Sequence, residues 1–399
     1  MSLMDDVERY VSFGNKRAGG PGDTAAGEWL EGELAAAGFR CERHIIDVPW
    51  FESQTVSLIL GDRTLPAYPV GIPVTTDAGG IAAPLAIVAH PATESAIAST
   101  AGAIALVFLP FGRWSSALTP AIANLVTACC RAGAVAIALV TTGPTGKAIM
   151  LNADGNRAMF DRPVVTVAPD MAIRLVADAA QNASARLILQ GAGGRRKAFN
   201  LLAQRGRGKA PQVIISTPRS GWFTCGAERG PGIAIWLDLA RQIARDDRLD
   251  ATFLCTSGHE YENLGAEMAI ERMLPDPAQT RLWLHLGAGF AARDWHEFGS
   301  RIVPLPSADP QRFLSASPQL LPACQALFNG QAGLEMAYST ATLLGGELKV
   351  IADAGYGNIV GLFAAHRLHH TEADNADCVS PSAMSAVAQS LRSLIASLD

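Results

Sequence analysis

Polar and apolar positions fall into three textures along this chain. Over residues 23–38 apolar side chains recur at helical spacing, with Asp23 or Thr24 placed to cap the start and Gly38 to end it. Residues 41–48 read as a strand. From residue 50 to residue 194 short β-like runs, at 56–60, 85–88, 103–109, 135–140, 164–168 and 186–189, alternate with Gly/Pro turns, and one helical pattern at 117–132 interrupts them. Few ionisable groups converge there, so residues 50–194 read as a separate β-rich module without chemistry of its own. Gly191, Gly193 and Gly194 read as its outgoing linker.

Beyond residue 195 strands and helices alternate. Strands are predicted at 199–204, 212–216, 250–256, 281–286 and 359–363, and helices at 232–245, 263–272, 334–344 and 382–398. A turn is expected at 205–209, and a less regular region runs to about residue 332. Near-continuous apolar strands between helices predict an α/β fold, a mixed, mostly parallel central sheet covered by helices. The expected organisation is one discontinuous domain, residues 1–49 and 195–399, carrying residues 50–194 as an insertion.

Composition narrows the function classes. At 399 residues, 49% hydrophobic and 17% charged, the chain fits an ordered globular protein of two or three domains. A net charge of −5 gives no basic footprint for nucleic acid. No apolar stretch reaches the roughly 20 residues of a membrane helix. The acidic start lacks an apolar signal core, and the seven cysteines, Cys129 and Cys130 adjacent in a helical pattern, read as reduced thiols. A cytoplasmic location is expected. The oligomeric state is left open, a homo-oligomer included.

The candidate chemistry collects where predicted strands end. The apolar run 251–256 leads into Ser257, Gly258, His259 and Glu260, a buried strand delivering an imidazole and a carboxylate to the edge where ligands collect in open α/β sheets. Arg219 follows another strand, Glu228 lies in the next loop, His285 falls near the end of a third, and His369 and His370 follow the last. The plain alternative is structural. Glu228 and Glu260 would each favour the dipole of a following helix, and Arg219 or Arg229 would pair with them in a metal-free pocket. Neighbours in an extended loop point opposite ways, so His369 is expected to face away from His370. Asp374 and Asp377 are expected to fix that loop, and Cys225 to be a buried inert thiol.

This order of motifs resembles the M28 family of zinc aminopeptidases, in which a strand ends in His-x-Asp, a Gly-Ala-x-Asp loop supplies a bridging Asp, a Glu-Glu pair supplies base and ligand, and a later Asp and a final His complete two metal sites. The inserted module resembles a protease-associated domain. Here Pro218 and Ser220 stand where the family has His and Asp, Glu228 where it has the bridging Asp, His259 where it has the base, and His285 where it has the later Asp; Glu260 and His370 match. The resemblance therefore implies a reduced site, similar to that of animal glutaminyl cyclases. Glu228, Glu260 and His370 would hold one zinc, an ordinary three-ligand catalytic set, with His285 as a further donor. His259 would act as base and Arg219 would bind a substrate carboxylate. The implied activity is hydrolysis of a small peptide or amide. The alternative is a metal-free homologue serving as a binding or assembly module, its acids neutralised by Arg219 or Arg229.

Overall fold

The structure, a computed structural model, describes residues 2–206, 211–245, 249–298 and 301–398. Most of the turn expected at 205–209 lies outside the described residues. The chain divides into two compact units, Met1–Asp47 with Lys197–Asp399, and Val48–Arg196. It leaves the first within the long strand Arg40–Leu60 and re-enters it within Ser184–Arg205.

In the larger unit four parallel strands, Ala251–Thr256, Gln212–Pro218, Thr280–Leu286 and Ile359–Ala364, lie side by side in that order. Ser184–Arg205 adds antiparallel beside Ala251–Thr256. On the opposite side Arg312–Ala316 adds antiparallel, and Ala337–Ser339 runs parallel to it. Every residue of Ala251–Thr256 is buried, as an unbroken apolar run requires of a strand covered on both faces. Helices Leu3–Ser12, Pro21–Ala36, Gly226–Ile243 and Pro381–Ala396 build the core on one face, around Val7, Leu30, Trp236 and Leu391. Trp236 anchors it by donating its indole N–H to the Ile215 carbonyl at 3.0 Å. Helices Leu264–Arg272 and Glu347–Asp353 cover the other face through Ala269, Leu348 and Ile351. The predicted mixed, mostly parallel sheet under two helical layers is therefore present. The chain lays down Gln212–Pro218, steps to one side for Ala251–Thr256, then to the other for Thr280–Leu286, and such a reversal opens a crevice at the carboxyl ends of the strands.

Three local differences from the sequence pattern have physical causes. Helix Gly226–Ile243 begins six residues before the predicted start at 232, with Pro231 inside it. The Asp374 carboxylate accepts from the N–H groups of Ala227 and Glu228, at 2.7 and 3.1 Å, and so caps the helix from a distant loop. The helix expected at 334–344 is replaced by strand Ala337–Ser339, where pairing with Arg312–Ala316 overrides local propensity, and a helix forms after Gly346 instead. The glycines expected to form a linker lie inside strand Ser184–Arg205. A Cβ on Gly191 would sit 2.2 Å from the Glu52 carbonyl, so glycine there permits close strand approach.

The smaller unit is an α/β layer of its own. Ile81–Ala89, Ile104–Phe108, Ala136–Val140 and Val164–Val167 run parallel as neighbours. Helix Pro120–Ala132 covers one face through Ile122 and Val126, and Ala172, Leu175 and Ala179 pack against the other. Among the described residues no helix is long and apolar enough to cross a membrane.

One contact fixes the loop that follows Ala251–Thr256. The Asn200 side chain accepts from the Ser257 N–H at 3.1 Å and donates to the Gly265 carbonyl at 2.7 Å, clamping loop to helix. A Cβ on Gly265 would lie 1.9 Å from the Ser257 carbonyl oxygen. Gly265→Ala should therefore destabilise the chain by about 1–3 kcal/mol. Urea unfolding checks this, and an unchanged midpoint would mean that the loop yields without cost.

Candidate functional site

Helix Gly226–Ile243 starts from Cys225, which adopts a left-handed φ of 51°, and its first turn carries Glu228 and Arg229 side by side. Both are buried. Arg229 Nη2 lies 2.8 Å from Glu228 Oε1, and His370 Nε2 lies 3.3 Å from the same oxygen. Neither contact is aligned as a hydrogen bond, so among the described residues both Glu228 oxygens and both terminal nitrogens of Arg229 lack hydrogen-bond partners. Such orphaned buried groups are rare in folded proteins. Burial alone would raise the Glu228 carboxyl, but Arg229, His370 and His369 outweigh it and hold the group well below the ordinary carboxylate range.

His369 joins this group, contrary to the alternation expected of an extended loop. Residues 366–371 form a turn, with the His369 N–H donating to the His366 carbonyl at 3.0 Å, and His370 takes a φ of 58°. The two rings consequently stack, centroids 3.8 Å apart and planes 20° apart. One ligand atom each from Glu228, His369 and His370 lies within 4.8 Å of the others. Burial, with help from neighbouring His370, drives the His369 imidazole well below its usual pKa, so the ring is neutral. The structure does not bring Glu260 into this group. Glu260 Oε1 accepts from the Ala18 N–H at 2.6 Å, and Oε2 accepts from the Ser220 hydroxyl at 2.8 Å. Burial raises its pKa against those bonds. Ser220 also accepts from the N–H groups of Gly258 and His259, at 2.7 and 3.1 Å, so it organises the loop that presents His259.

Arg219 is placed away from substrate-binding duty. Its Nε lies 3.0 Å from Asp23 Oδ1, its other nitrogens donate to the carbonyls of Cys255 and Phe199, and its guanidinium stacks on the Phe199 ring. Cys225 donates its thiol to the Trp222 carbonyl at 2.9 Å, and burial pushes its pKa well up, as expected of an inert thiol.

A second constellation lies at the ends of the neighbouring strands. His259 keeps 12% of its side chain exposed, and its Nδ1 lies 3.4 Å from Glu347 Oε1. The Thr256 hydroxyl lies 2.9 and 3.1 Å from the two Glu347 oxygens. Burial opposes ionisation of Glu347, but His259, His285 and Arg229 overcome it and keep the carboxyl below its ordinary range. His285 Nδ1 is 2.9 Å from the Ser216 hydroxyl, which also accepts the Trp283 indole N–H at 2.7 Å. Sequence reading missed Glu347 and His369 as site members. Glu347 follows Gly345 and Gly346, a turn signal that marks a helix start but does not say what the first carboxylate faces.

No protein-family model and no curated protein sequence matches the chain. Solved structures do. BSAP, a zinc aminopeptidase from Bacillus subtilis, is 13% identical with a TM-score of 0.75, the match covering 99% of this chain and 94% of that one. An aminopeptidase from Aneurinibacillus sp. strain AM-1 is 16% identical with a TM-score of 0.69, covering 98% and 93%. A peptidase M28 precursor from Shewanella amazonensis SB2B is 18% identical with a TM-score of 0.73, covering 99% and 92%. The chain thus has an M28-like fold over nearly its whole length. At such identities the likeness establishes the fold, and the site rests on its own geometry.

The buried imidazole of His285 makes stability depend on pH. Burial lowers its pKa from the ordinary value to about 4, with Glu347 opposing and His259 and Arg229 assisting. The unfolded chain takes up this proton near pH ~6.5 and the folded chain only near 4. The stability is therefore fully present above ~6.5 and lost as pH falls toward 4, by about 3 kcal/mol for this group. Chemical denaturation at pH 7.5 and 4.5, in native protein and in His285→Asn, checks it. The variant should lose less stability on acidification, and equal losses would refute the assignment.

Proposed function

We propose that the protein is a metal-dependent hydrolase of peptide or amide bonds with a mononuclear zinc site formed by Glu228, His369 and His370. The observation that carries this reading is the buried Glu228 carboxylate, held ionised and, among the described residues, without an aligned hydrogen-bond donor, grouped with two imidazoles. The donor set fits a zinc ion. A carboxylate and two histidines are an ordinary catalytic ligand set, and the ionised acid and neutral His369 already hold the protonation states a dication requires. Zinc bound there would supply Lewis acidity toward an amide carbonyl and toward water.

The chain's own groups supply the rest. Arg229 adds fixed positive charge beside Glu228, which favours one dication over two. Asp374 holds the first turn of the helix, and with it Glu228, in place. His259, the partly exposed imidazole, takes and returns the proton. Arg219 has no part in this scheme, because its guanidinium is committed to Asp23 and to backbone carbonyls. The substrate is a small peptide or amide, and the smaller unit is an inserted module resembling a protease-associated domain. All seven cysteines are free thiols, which supports a cytoplasmic location.

One observation favours a second reading, a metal-free binding or assembly module. The Arg229 guanidinium sits 2.8 Å from Glu228 and can neutralise it without an ion. Elemental analysis of protein purified without chelator, before and after zinc addition, separates the two. Near one zinc per chain, lost in Glu228→Ala and His370→Ala, together with amide hydrolysis that chelation removes, is the expected result. No retained zinc after addition would overturn the hydrolase reading and leave the internal ion pair as the state of the site.

A further inference from the structure

We infer that Glu347 is a positioning residue that fixes His259 as the Nδ1–H tautomer and leaves Nε2 as the atom that takes the proton. The inference rests on His259 serving as the base in the proposed hydrolase, but its geometric core does not depend on metal or activity.

Glu347 is buried, and the nearest described donors to its carboxylate are the Thr256 hydroxyl, at 2.9 and 3.1 Å, and His259 Nδ1, at 3.4 Å. An ionised carboxylate only accepts hydrogen bonds, so the imidazole nitrogen facing it carries the hydrogen. A neutral imidazole has one such nitrogen, and the proton-accepting lone pair is then on Nε2. Thr256 ends the strand that leads into the His259 loop, so its hydroxyl ties the carboxylate to the element that presents the histidine. Backbone geometry serves the same contact. Gly346 has φ +54° and ψ −139°, a conformation glycine adopts without strain, and an added Cβ would lie 3.6 Å from His259 Cε1. Glycine there lets the chain turn immediately before Glu347.

The charges acting on His259 come from three elements. Glu347 and Glu228 favour its protonated form, while Arg229 disfavours it. His285, on strand Thr280–Leu286, also interacts with both His259 and Glu347. Glu347 thus does for this imidazole what a buried carboxylate does in a Ser-His-Asp triad, holding orientation and tautomer without itself taking the proton. No feature of the local sequence pairs residue 347 with residue 259; the placing of the start of helix Glu347–Asp353 at the end of strand Ala251–Thr256 and the Gly346 turn do.

The test is two-bond proton–nitrogen correlation spectroscopy on the full chain with ¹⁵N-labelled histidine, stripped of metal, above the titration range of His259. The expected wild-type signature is a single Nδ1–H tautomer at His259, assigned by its loss in His259→Gln. Glu347→Ala should give a mixture or the Nε2–H form, and Glu347→Asp should keep part of the preference. An Nε2–H tautomer in the wild type, or an unchanged Nδ1–H signature in Glu347→Ala, would overturn the inference. The wild-type reading needs no variant to fold. Where hydrolysis is measurable, Glu347→Ala should lower kcat by about 10²-fold or more with little change in KM. The acid limb of its pH profile should also move to lower pH, because an anion that favours the imidazolium has gone. Loss of KM alone would count against a positioning role. A correct tautomer in a protein that binds no zinc would leave the Glu347 assignment standing while the hydrolase reading falls.

Discussion

The burial of ionisable side chains at one edge of the sheet is the constraint around which this unit is built. Moving a carboxylate or guanidinium out of water costs several kcal/mol unless its charge and hydrogen-bonding capacity are met inside. Here Asp23 meets Arg219, Glu228 meets Arg229, Glu260 meets the Ala18 N–H and the Ser220 hydroxyl, and Glu347 meets Thr256 and His259. All but the Glu228–Arg229 pair tie together segments far apart in sequence. Arg219 links helix Pro21–Ala36 to the strands ending at Pro218 and Thr256, and Glu260 links its loop to Ala18.

Within that framework one set of oxygens stands out because it is not satisfied. Asp23, Glu260 and Glu347 each accept at least one hydrogen bond from the protein, whereas Glu228 has charge neighbours and no aligned donor. Carboxylates in structural ion pairs ordinarily gain both charge and direction. Glu228 gains only charge. An acid that is ionised, buried and undirected is suited to a cation whose bonding has no angular demand on hydrogens, which is what distinguishes a metal donor from a salt-bridge partner.

The fold was legible because it depends on signals that are local and repeated. Unbroken apolar runs such as residues 251–256 and 281–286, spaced by helical patterns, specify buried parallel strands whatever occupies the loops. The site was legible only in part. His259, Glu228 and His370 could be located because they directly follow strand or loop signals at the sheet's carboxyl edge. Glu347 could not, because its significance lies in a non-local contact across the sheet. His369 was assigned to the wrong side because alternation holds for extended backbone, and residue 370 turns instead at φ 58°. Glu260 matches a ligand position in sequence, yet Ser220 and Ala18 reach its oxygens first, an outcome set by residues 40 and 242 positions away.

Opposite environments give the three glutamates of this edge different capacities. Glu228 and Glu347 are held ionised by neighbouring cations and imidazoles, while burial raises Glu260 toward its protonated form. Pairs of like groups pushed apart in this way are how one pocket separates charge-holding from proton-holding tasks. The ionised acids face imidazoles: Glu228 faces His370 in the donor group, and Glu347 faces His259 beside it. The raised acid accepts from the Ala18 N–H and the Ser220 hydroxyl. Exchanging any of these surroundings would change what the carboxylate can do without changing the residue itself. That is why a sequence match at Glu260 and a mismatch at His259 carry less weight than the groups each side chain meets.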